Sequence, residues 1–328
     1  MNLIIISTMI SISSNSWFGM WLGLEINLMS IIPLMSNIKN SYSTESSIKY
    51  FIIQALSSMI IMISIIYLVN LSNSPVTNFN NSISLIFNSA LMTKMGSAPF
   101  HFWFPEIMEG LNWLNCFIML TWQKITPMIM MNYSINSMFI FTIIIFSMLV
   151  SGILGINQNS LRKILTYSSI NHIGWMLASM MFFESIWLAY FLVYFMIIAN
   201  LIMVFNLYKI FHATQLWLFM KSNLNLNYFF IMNFLSLGGI PPFIGFLPKW
   251  LTIQMMIMNN NYFLSICMII LTLMTLFYYI RIMLSTLSLI FHENNLIHFK
   301  FQSSMWIPTS NFINLLSLTL YSMLFNFI

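Results

Sequence analysis

The sequence predicts an all-α integral membrane protein of about eleven transmembrane helices: two inverted five-helix repeats, each with one broken helix, and a C-terminal helix. Three observations predict this fold. Charged residues make up 5% of the 328 and hydrophobic residues 59%, whereas about a quarter of the residues in soluble proteins are charged. Apolar segments of about 20 residues, enough to cross a bilayer, follow one another along the chain. Two of these segments carry the same Gly/Pro motif.

Eleven apolar segments meet the approximate length of a membrane crossing, about 20 residues for about 30 Å of hydrocarbon. The first is short for a full crossing, and the fourth and ninth are too long for one straight helix. In chain order the segments are 1–14, 16–36, 47–71, 83–111, 113–132, 137–156, 163–182, 186–211, 226–258, 260–289 and 310–328.

The two long segments share the motif G-x-x-P-F-x4-P, which starts at Gly96 and again at Gly239 and ends before Glu106 and Lys249 respectively. Glycine and proline interrupt helices, and interrupted backbone is tolerated at membrane depth only where it is buried in protein or lines a water-filled cavity. Paired interrupted segments in the two halves of a membrane protein point to a transport site.

The offset between the two motifs, 143 residues (239 − 96), also carries the first five apolar segments onto segments six to ten. This correspondence predicts a first repeat at 1–136, a second at 137–289, and a loop with a C-terminal helix at 290–328. Because five crossings is an odd number, the second repeat enters the membrane in the opposite sense. Inverted repeats of this kind are typical of secondary transporters.

The basic residues of the connections predict the orientation in the membrane. Basic residues occur in the connections on the N-terminal side of the membrane, whereas the loops on the other side, 71–82 and 132–137, carry no charge. The positive-inside rule therefore places the N-terminus in the cytoplasm or, for a mitochondrial protein, in the matrix. These cations are too dilute for a nucleic-acid surface, so no nucleic-acid partner is expected. The basic residues on the N-terminal side are Lys39, Lys49, Arg162, Lys163, Lys209, Lys221 and Lys300.

Four charged residues remain within the spans and are the candidate functional residues: Glu25, Lys94, Lys124 and Lys249. A charge near the bilayer midplane costs at least about 2.5–3.5 kcal/mol. Burial can lower the pKa of a lysine, ordinarily near 10.4, by about 3–5 units, which allows it to release and regain a proton. A movable carboxylate would switch that release. The residues therefore indicate proton carriage, while a satisfied internal ion pair remains the alternative for any one of them.

Two further polar residues are ambiguous. His101, in the first broken segment, joins such a relay or only packs and hydrogen-bonds; Arg281 joins it or only anchors its helix at the interface. Cys116 and Cys267 are expected to be packing residues. The sequence contains no phosphate loop, dinucleotide fingerprint, cysteine cluster or haem-ligand pair, which predicts that the chain holds no redox cofactor.

Several strings carry a resemblance to a known family and occur in its order from about residue 15 to 290. They resemble the chain 2 family of NADH–ubiquinone oxidoreductase, mitochondrially encoded membrane-arm subunits of respiratory complex I, and the composition is similar to that of insect members. The strings are WLGLEIN from Trp21, STE from Ser43 with IKYF from Ile48, KMGSAPFHFW from Lys94, TWQK from Thr121, LRKIL from Leu161 with YSSI from Tyr167, and GFLPKW from Gly245.

The resemblance implies an antiporter-like fold and proton translocation driven by distant electron transfer from NADH to ubiquinone. By position in the matching strings, Glu25 corresponds to the family's carboxylate on the helix before the first broken pair, and Lys94 to its partner on the broken helix. Lys124 corresponds to the central relay lysine and Lys249 to the terminal lysine on the second broken helix.

The resemblance also implies the surroundings of the chain. NADH, FMN, iron–sulfur clusters and ubiquinone are expected in partner subunits, with none bound by this chain. The expected partners are other membrane-arm subunits, including antiporter-like neighbours, together with lipids, rather than further copies of the chain. The expected location is the mitochondrial inner membrane, with the N-terminus in the matrix. Two alternatives stay open: a free-standing secondary cation/proton antiporter and a structural scaffold of the membrane arm.

Overall fold

A computed structural model describes residues 1–37, 40–72, 81–222 and 224–288, with Thr309 alone beyond them. In these ranges the chain is α-helical apart from its connections and one isolated bridge between Ser160 and His212. The chain forms two compact units, Met1–Ser147 and a second that starts at Met148. The division falls within a helix, whereas the predicted repeat boundary precedes that helix and stays a prediction. The predicted C-terminal helix at 310–328 lies outside the described residues.

The helices follow the predicted segments closely. Those that begin in the first unit are α1 (Asn2–Ser13), α2 (Trp17–Met35), α3 (Ser41–Ser72), α4 (Asn81–Met95), α5 (Trp103–Gly110), α6 (Trp113–Leu120), α7 (Trp122–Asn132) and α8 (Ser137–Ile156). Those of the second unit are α9 (Leu161–Met180), α10 (Glu184–Tyr208), α11 (Ala213–Ser222), α12 (Leu224–Gly238), α13 (Phe246–Met258) and α14 (Tyr262–Ser288).

Both predicted helix breaks are present, and they have the same local geometry. Gly96, with φ of 71°, follows α4, and Gly239, with φ of 76°, follows α12. The amide of Gly96 and the next amide both donate to the carbonyl of Met92, and Gly239 repeats this arrangement with Leu235. This is a Schellman-type helix end, in which a residue with positive φ lets the chain turn back on the last carbonyls. Glycine is required here because a side chain disfavours that conformation.

The first unit packs α1 closely on α2, and α3 against α4 and α5. Small residues allow the approach of α1, since a Cβ atom on Gly23 would lie 2.7 Å from the Cβ of Ser11. α4 also packs on α7, so α2, α3, α4 and α7 together surround the candidate residues of this unit.

The second unit is arranged around α9, which packs against α10, α13 and α14. Nearly every residue of α9 is buried, including the polar run Ser168–Ser169 and Asn171–His172. A helix surrounded by protein need not be apolar all round, and this explains why polar side chains occupy the middle of a predicted span.

Two features differ from the sequence prediction. The fifth segment, 113–132, was predicted as one helix but is divided at Thr121 into α6 and α7. At this division the Thr121 hydroxyl bonds back to the Phe117 carbonyl at 2.7 Å, an arrangement that bends helices. The short α11 was not predicted as a separate helix.

Five of the described helices are long and apolar enough to cross a membrane: α2, α8 and α10 over their whole lengths, α3 over Ser41–Val69 and α14 over Tyr262–Leu284. α1 is apolar but has only 12 residues.

Candidate functional site

All three candidate lysines are buried and lie at helix breaks. Lys94 is the next-to-last residue of α4, Lys124 lies in the first turn of α7 directly after the break at Thr121, and Lys249 lies on α13. They are 7%, 1% and 5% exposed, so each ammonium is held within the protein. Glu25, on α2, is half-buried.

Glu25 lies within electrostatic reach of Lys94. No ion pair joins their side chains in the part of the chain that the structure describes. The Glu25 charge therefore acts on Lys94 over a distance longer than a direct contact. A small movement of the Glu25 carboxylate can therefore weaken or strengthen its attraction to Lys94 without breaking a direct contact between them.

A small polar cavity lies beside Lys94, with room for about one water molecule. Its polar walls come from α2, α3 and α7, and its apolar walls from α2 and Pro127. The lining residues are Leu24, Asn27, Leu28, Tyr50, Gln54, Lys94, Gln123, Thr126 and Pro127.

An amide pair joins α2 to α7 at this cavity. The Asn27 amide donates to Gln123 Oε1 at 3.0 Å, and the Gln123 amide donates back to Asn27 Oδ1 at 3.2 Å. The Tyr50 hydroxyl also reaches Gln123 Oε1, at 3.5 Å, and Gln54 Nε2 donates to the Lys94 carbonyl at 3.3 Å. The sequence did not reveal this network, although Asn27 and Gln123 are neighbours of charged candidates in their strings.

Lys124 occupies a different environment. Its ammonium lies 5.6 Å from the centre of the Phe104 ring, on the helix that follows the first break. The face of an aromatic ring attracts a cation, more strongly when both are desolvated. Lys124 directly follows Gln123 on α7, so it lies one residue from the amide pair.

Lys249 is bonded to the end of the preceding half-helix. Its ammonium donates to the carbonyl of Gly238 at 2.8 Å and to that of Leu237 at 3.3 Å, the last two residues of α12. These carbonyls have no partner within their own helix, and the negative end of the helix dipole favours a cation there. The ammonium also lies 5.7 Å from the centre of the Trp175 ring, on α9.

His172 is a buried polar residue that the sequence analysis missed. Its Nδ1 atom lies 2.9 Å from the Tyr190 hydroxyl, and it shares one face of α9 with Trp175, three residues further on. Tyr194, Tyr278 and Tyr279 are also buried, and the Tyr194 ring centre lies 5.0 Å from that of His172. The available signal was the polar run from Ser168 to His172 in the middle of a span.

The roles proposed from the sequence for His101 and Arg281 stay predictions. His101 is 3% exposed and lies in the first break, with its ring centre 4.3 Å from that of Phe102. Arg281 is half-buried on α14. Among the residues that the structure describes, no cluster of His, Cys, Asp or Glu could hold a metal ion.

Residues 14–275 match the model of a protein family described as the NADH:quinone oxidoreductase/Mrp antiporter transmembrane family. The chain belongs to this family. It is 43% identical to NADH-ubiquinone oxidoreductase chain 2 of Anopheles gambiae over 99% of this chain and 92% of the relative. It is 45% identical to the chain 2 protein of Aedes aegypti over 98% of this chain and 96% of the relative. The predicted resemblance to chain 2 is confirmed.

Solved structures confirm the antiporter-like fold. A chain of respiratory complex I from Thermus thermophilus superposes with a TM-score of 0.83 at 19% identity, covering 96% of this chain and 76% of that one. A chain of the Mrp complex from Dietzia superposes with a TM-score of 0.72 at 16% identity, covering 89% and 60%. The chain is thus an antiporter-like, proton-translocating membrane subunit of the complex I family.

Proposed function

We propose that this chain carries protons across the mitochondrial inner membrane through Glu25, Lys94, Lys124 and Lys249, driven by electron transfer from NADH to ubiquinone in partner subunits. The observation that carries the proposal is the burial of three lysines at three helix breaks, one of them within electrostatic reach of a carboxylate. Charges in such positions are costly in membrane proteins and are retained for function.

In the first unit, the proposed switch is Glu25. Protonating or displacing it removes a negative charge from the neighbourhood of Lys94, which then releases its proton more readily. The cavity beside Lys94 has room for the water that would accept this proton, and the surrounding amides and Tyr50 would orient it. Lys124 takes up the proton next in the proposed order.

In the second unit, Lys249 is the proposed terminal site. While protonated, its ammonium holds the last carbonyls of α12. Loss of the proton weakens these bonds, because a neutral amine is a poorer donor, and water must enter to satisfy the carbonyls. Proton release and hydration of the second break are therefore coupled.

The surroundings of the chain are part of the proposal. We infer that the redox cofactors, namely NADH, FMN, iron–sulfur clusters and ubiquinone, are bound by partner subunits, and that this chain contributes no redox chemistry. Its partners would be other membrane-arm subunits, antiporter-like neighbours among them, and lipids. From the basic residues of the connections and the positive-inside rule, we infer that the N-terminus faces the matrix.

The test substitutes Lys249→Met and Glu25→Gln, separately, in the assembled complex. We expect each variant to assemble normally and to lose proton pumping or coupled NADH oxidation. Matched controls are Lys49→Met and Glu45→Gln, whose side chains are 45% and 61% exposed, and both should pump normally. Proton uptake would be measured with a pH-sensitive dye in sealed vesicles, per NADH oxidised.

Unaffected pumping in both variants would reject the relay and leave a structural scaffold of the membrane arm. The family description also covers Mrp antiporters, which supports a second candidate, a free-standing cation/proton antiporter. Cation-coupled proton exchange by the isolated chain in liposomes would support that candidate. The absence of such exchange, together with co-migration of the chain with NADH dehydrogenase activity in a large assembly, would reject it.

A further inference from the structure

Thr126 is a buried threonine whose hydroxyl has no hydrogen-bond partner. Its side chain, on α7, is 1% exposed, and among the described residues nothing bonds to its Oγ1 atom. The other five buried threonines of the described chain each donate to a carbonyl three or four residues earlier, at 2.6–2.8 Å. They are Thr8, Thr121, Thr166, Thr252 and Thr275. Because buried hydroxyls are satisfied by protein groups or by ordered water, Thr126 indicates a bound molecule beside it.

The Thr126 hydroxyl belongs to the polar cavity beside Lys94, whose walls on the side of α7 are Gln123, Thr126 and Pro127. Positions three and four residues apart share one face of a helix, so these three residues face the cavity together. The cavity has room for about one water molecule, and a buried water needs at least two polar partners. The Thr126 hydroxyl supplies one of them.

A second partner comes from the backbone of α7. Pro127 has no N–H, so it cannot donate to the carbonyl of Gln123, four residues earlier. That carbonyl can therefore accept from a molecule in the cavity. The side-chain amide of Gln123 is already engaged, since it exchanges two hydrogen bonds with Asn27. The Thr126 hydroxyl and the Gln123 backbone carbonyl are the groups with which α7 can hold a water molecule.

We propose that these two groups bind one water molecule in the cavity, and that Thr126 is a positioning residue for proton transfer from Lys94. The proposal rests on the proposed relay, in which Lys94 releases its proton to water. A carbonyl only accepts, so the Gln123 carbonyl takes one hydrogen of the water molecule, and the hydroxyl oxygen accepts the other. The lone pairs of the water then face the remaining walls of the cavity. The Lys94 ammonium, with three N–H donors, is among these walls.

This arrangement prepares the water molecule to receive a proton. The proton leaves the Lys94 ammonium, which becomes a neutral amine, and moves to the water oxygen, which becomes hydronium. Hydrogen bonds from an ionised donor are stronger than those from a neutral one, so both bonds of the water strengthen as it gains charge. The Gln123 carbonyl and the Thr126 hydroxyl therefore stabilise the product of the transfer more than the reactants. Valine in place of Thr126 removes one of these bonds and keeps the shape of the side chain.

The first test is an electron cryomicroscopy map of the intact complex, at a resolution that shows ordered water. We expect density within about 2.7–3.2 Å of Thr126 Oγ1 and of the Gln123 carbonyl oxygen. Thr126→Val should lose this density, whereas the matched control Thr166→Val, whose hydroxyl bonds within its own helix, should keep it. A cavity that is empty in the unsubstituted complex, or density that is unchanged in Thr126→Val, would overturn the proposal.

The second test measures the initial rate of proton uptake in sealed vesicles during NADH oxidation. Thr126→Val should lower this rate about fivefold, the effect of one lost hydrogen bond on the transfer step. Thr126→Ser keeps the hydroxyl and should stay within about twofold of the normal rate. Thr166→Val should be unchanged. A normal rate in Thr126→Val would reject the positioning role. So would a rate in Thr126→Ser as low as that in Thr126→Val, because packing of the methyl group would then explain the effect.

Pro127→Ala tests the Gln123 carbonyl independently. Alanine supplies the N–H that bonds to this carbonyl within the helix, so the water molecule loses a partner while the helix gains a bond. We expect the rate to fall about fivefold with no decrease in the midpoint temperature for loss of the chain from the complex. A normal rate would contradict the proposed water site. This variant and Thr126→Ser decide the question even if Thr126→Val fails to assemble.

Lys94→Met separates the water site from the relay on which it rests. Loss of pumping in Lys94→Met together with normal pumping in Thr126→Val would leave the relay in place and reject the positioning role. Normal pumping in Lys94→Met would reject the relay itself, and with it any role of Thr126 in proton transfer.

Discussion

The ends of α4 and α12 are equivalent in sequence and backbone geometry but differ in what satisfies their last carbonyls. At the end of α4, neutral side chains do so: Trp103 Nε1 donates to the Thr93 carbonyl at 3.1 Å, and Gln54 donates to that of Lys94 at 3.3 Å. At the end of α12, the ammonium of Lys249 takes this role. The break in the first unit is thus held by neutral donors whatever the charge state, whereas the break in the second unit depends on the charge of Lys249.

The difference lies in one pair of positions. Lys249 corresponds to Glu106 under the shift of 143 residues (249 − 106), and Glu106 is exposed and bonded to Lys49 at 3.2 Å. A carboxylate cannot donate to carbonyls, so the first unit uses neutral donors and leaves the Lys94 side chain to the cavity. The buried lysine precedes the break in the first unit, as Lys94, and follows it in the second, as Lys249. The backbone geometry of the break is the same in both units.

The largest effect on stability and assembly is expected for a substitution at Gly245, directly before α13. A Cβ atom there would collide with the Ser236 carbonyl oxygen, a rigid part of α12. Gly245→Ala should therefore destabilise the chain by more than about 4 kcal/mol and prevent assembly. Its counterpart is Phe102, 72% exposed, and Phe102→Ala should assemble normally. Native gel electrophoresis of both variants measures this, and normal assembly of Gly245→Ala would contradict the geometry.

The substitution Lys249→Arg distinguishes two roles of Lys249: holding the end of α12 with a positive charge, and releasing a proton. Arginine keeps the cation that the α12 carbonyls favour but does not deprotonate in proteins. We expect the complex to assemble and proton pumping to fall at least tenfold, as for Lys249→Met. Pumping at more than half the normal rate would mean that Lys249 only caps the helix. The measurement is proton uptake per NADH oxidised in sealed vesicles.

A smaller effect is expected at the amide pair of the first unit. Gln123→Leu leaves the buried Asn27 amide without its partner, which costs about 1–3 kcal/mol. The double substitution Asn27→Leu/Gln123→Leu should recover part of that loss, giving an interaction energy of about 0.5–3 kcal/mol. The midpoint temperature for loss of this chain from the complex provides the measure. Strict additivity would show that the pair contributes nothing.

The smallest effect is expected for Glu106→Gln. The Lys49–Glu106 pair is exposed on both sides, with side chains 45% and 60% accessible, and Glu45 still pairs with Lys49 when it is lost. Exposed pairs contribute little and are screened by salt. We expect no resolvable change in the midpoint temperature at high salt and normal pumping. A loss of pumping would show that the two equivalent positions share a function.

The sequence was sufficient for the breaks after α4 and α12, because Gly96 and Gly239 sit at positions that require positive φ and prolines follow them. It also located Lys94, Lys124 and Lys249, since charges inside apolar spans stand out.

Other features depend on contacts between distant segments. The division at Thr121 has no glycine, and prolines do not mark it, since Pro33 and Pro127 both lie within helices that continue past them. The partners of the last carbonyls of α4 and α12 come from other helices, so no local pattern reveals them. His172 was overlooked because serine and asparagine are common throughout this composition.

The close packing of α1 on α2 has a consequence for the membrane itself. α1 has 12 residues and spans about 18 Å, roughly 12 Å less than an average hydrocarbon layer. Since a Cβ on Gly23 would collide with the backbone of Ser11, α1 is fixed on α2 and cannot slide to reach both interfaces. Lipids beside α1 must shorten or a neighbouring chain must replace them. Where lipids do face α1, a thinner membrane accommodates it at lower elastic cost.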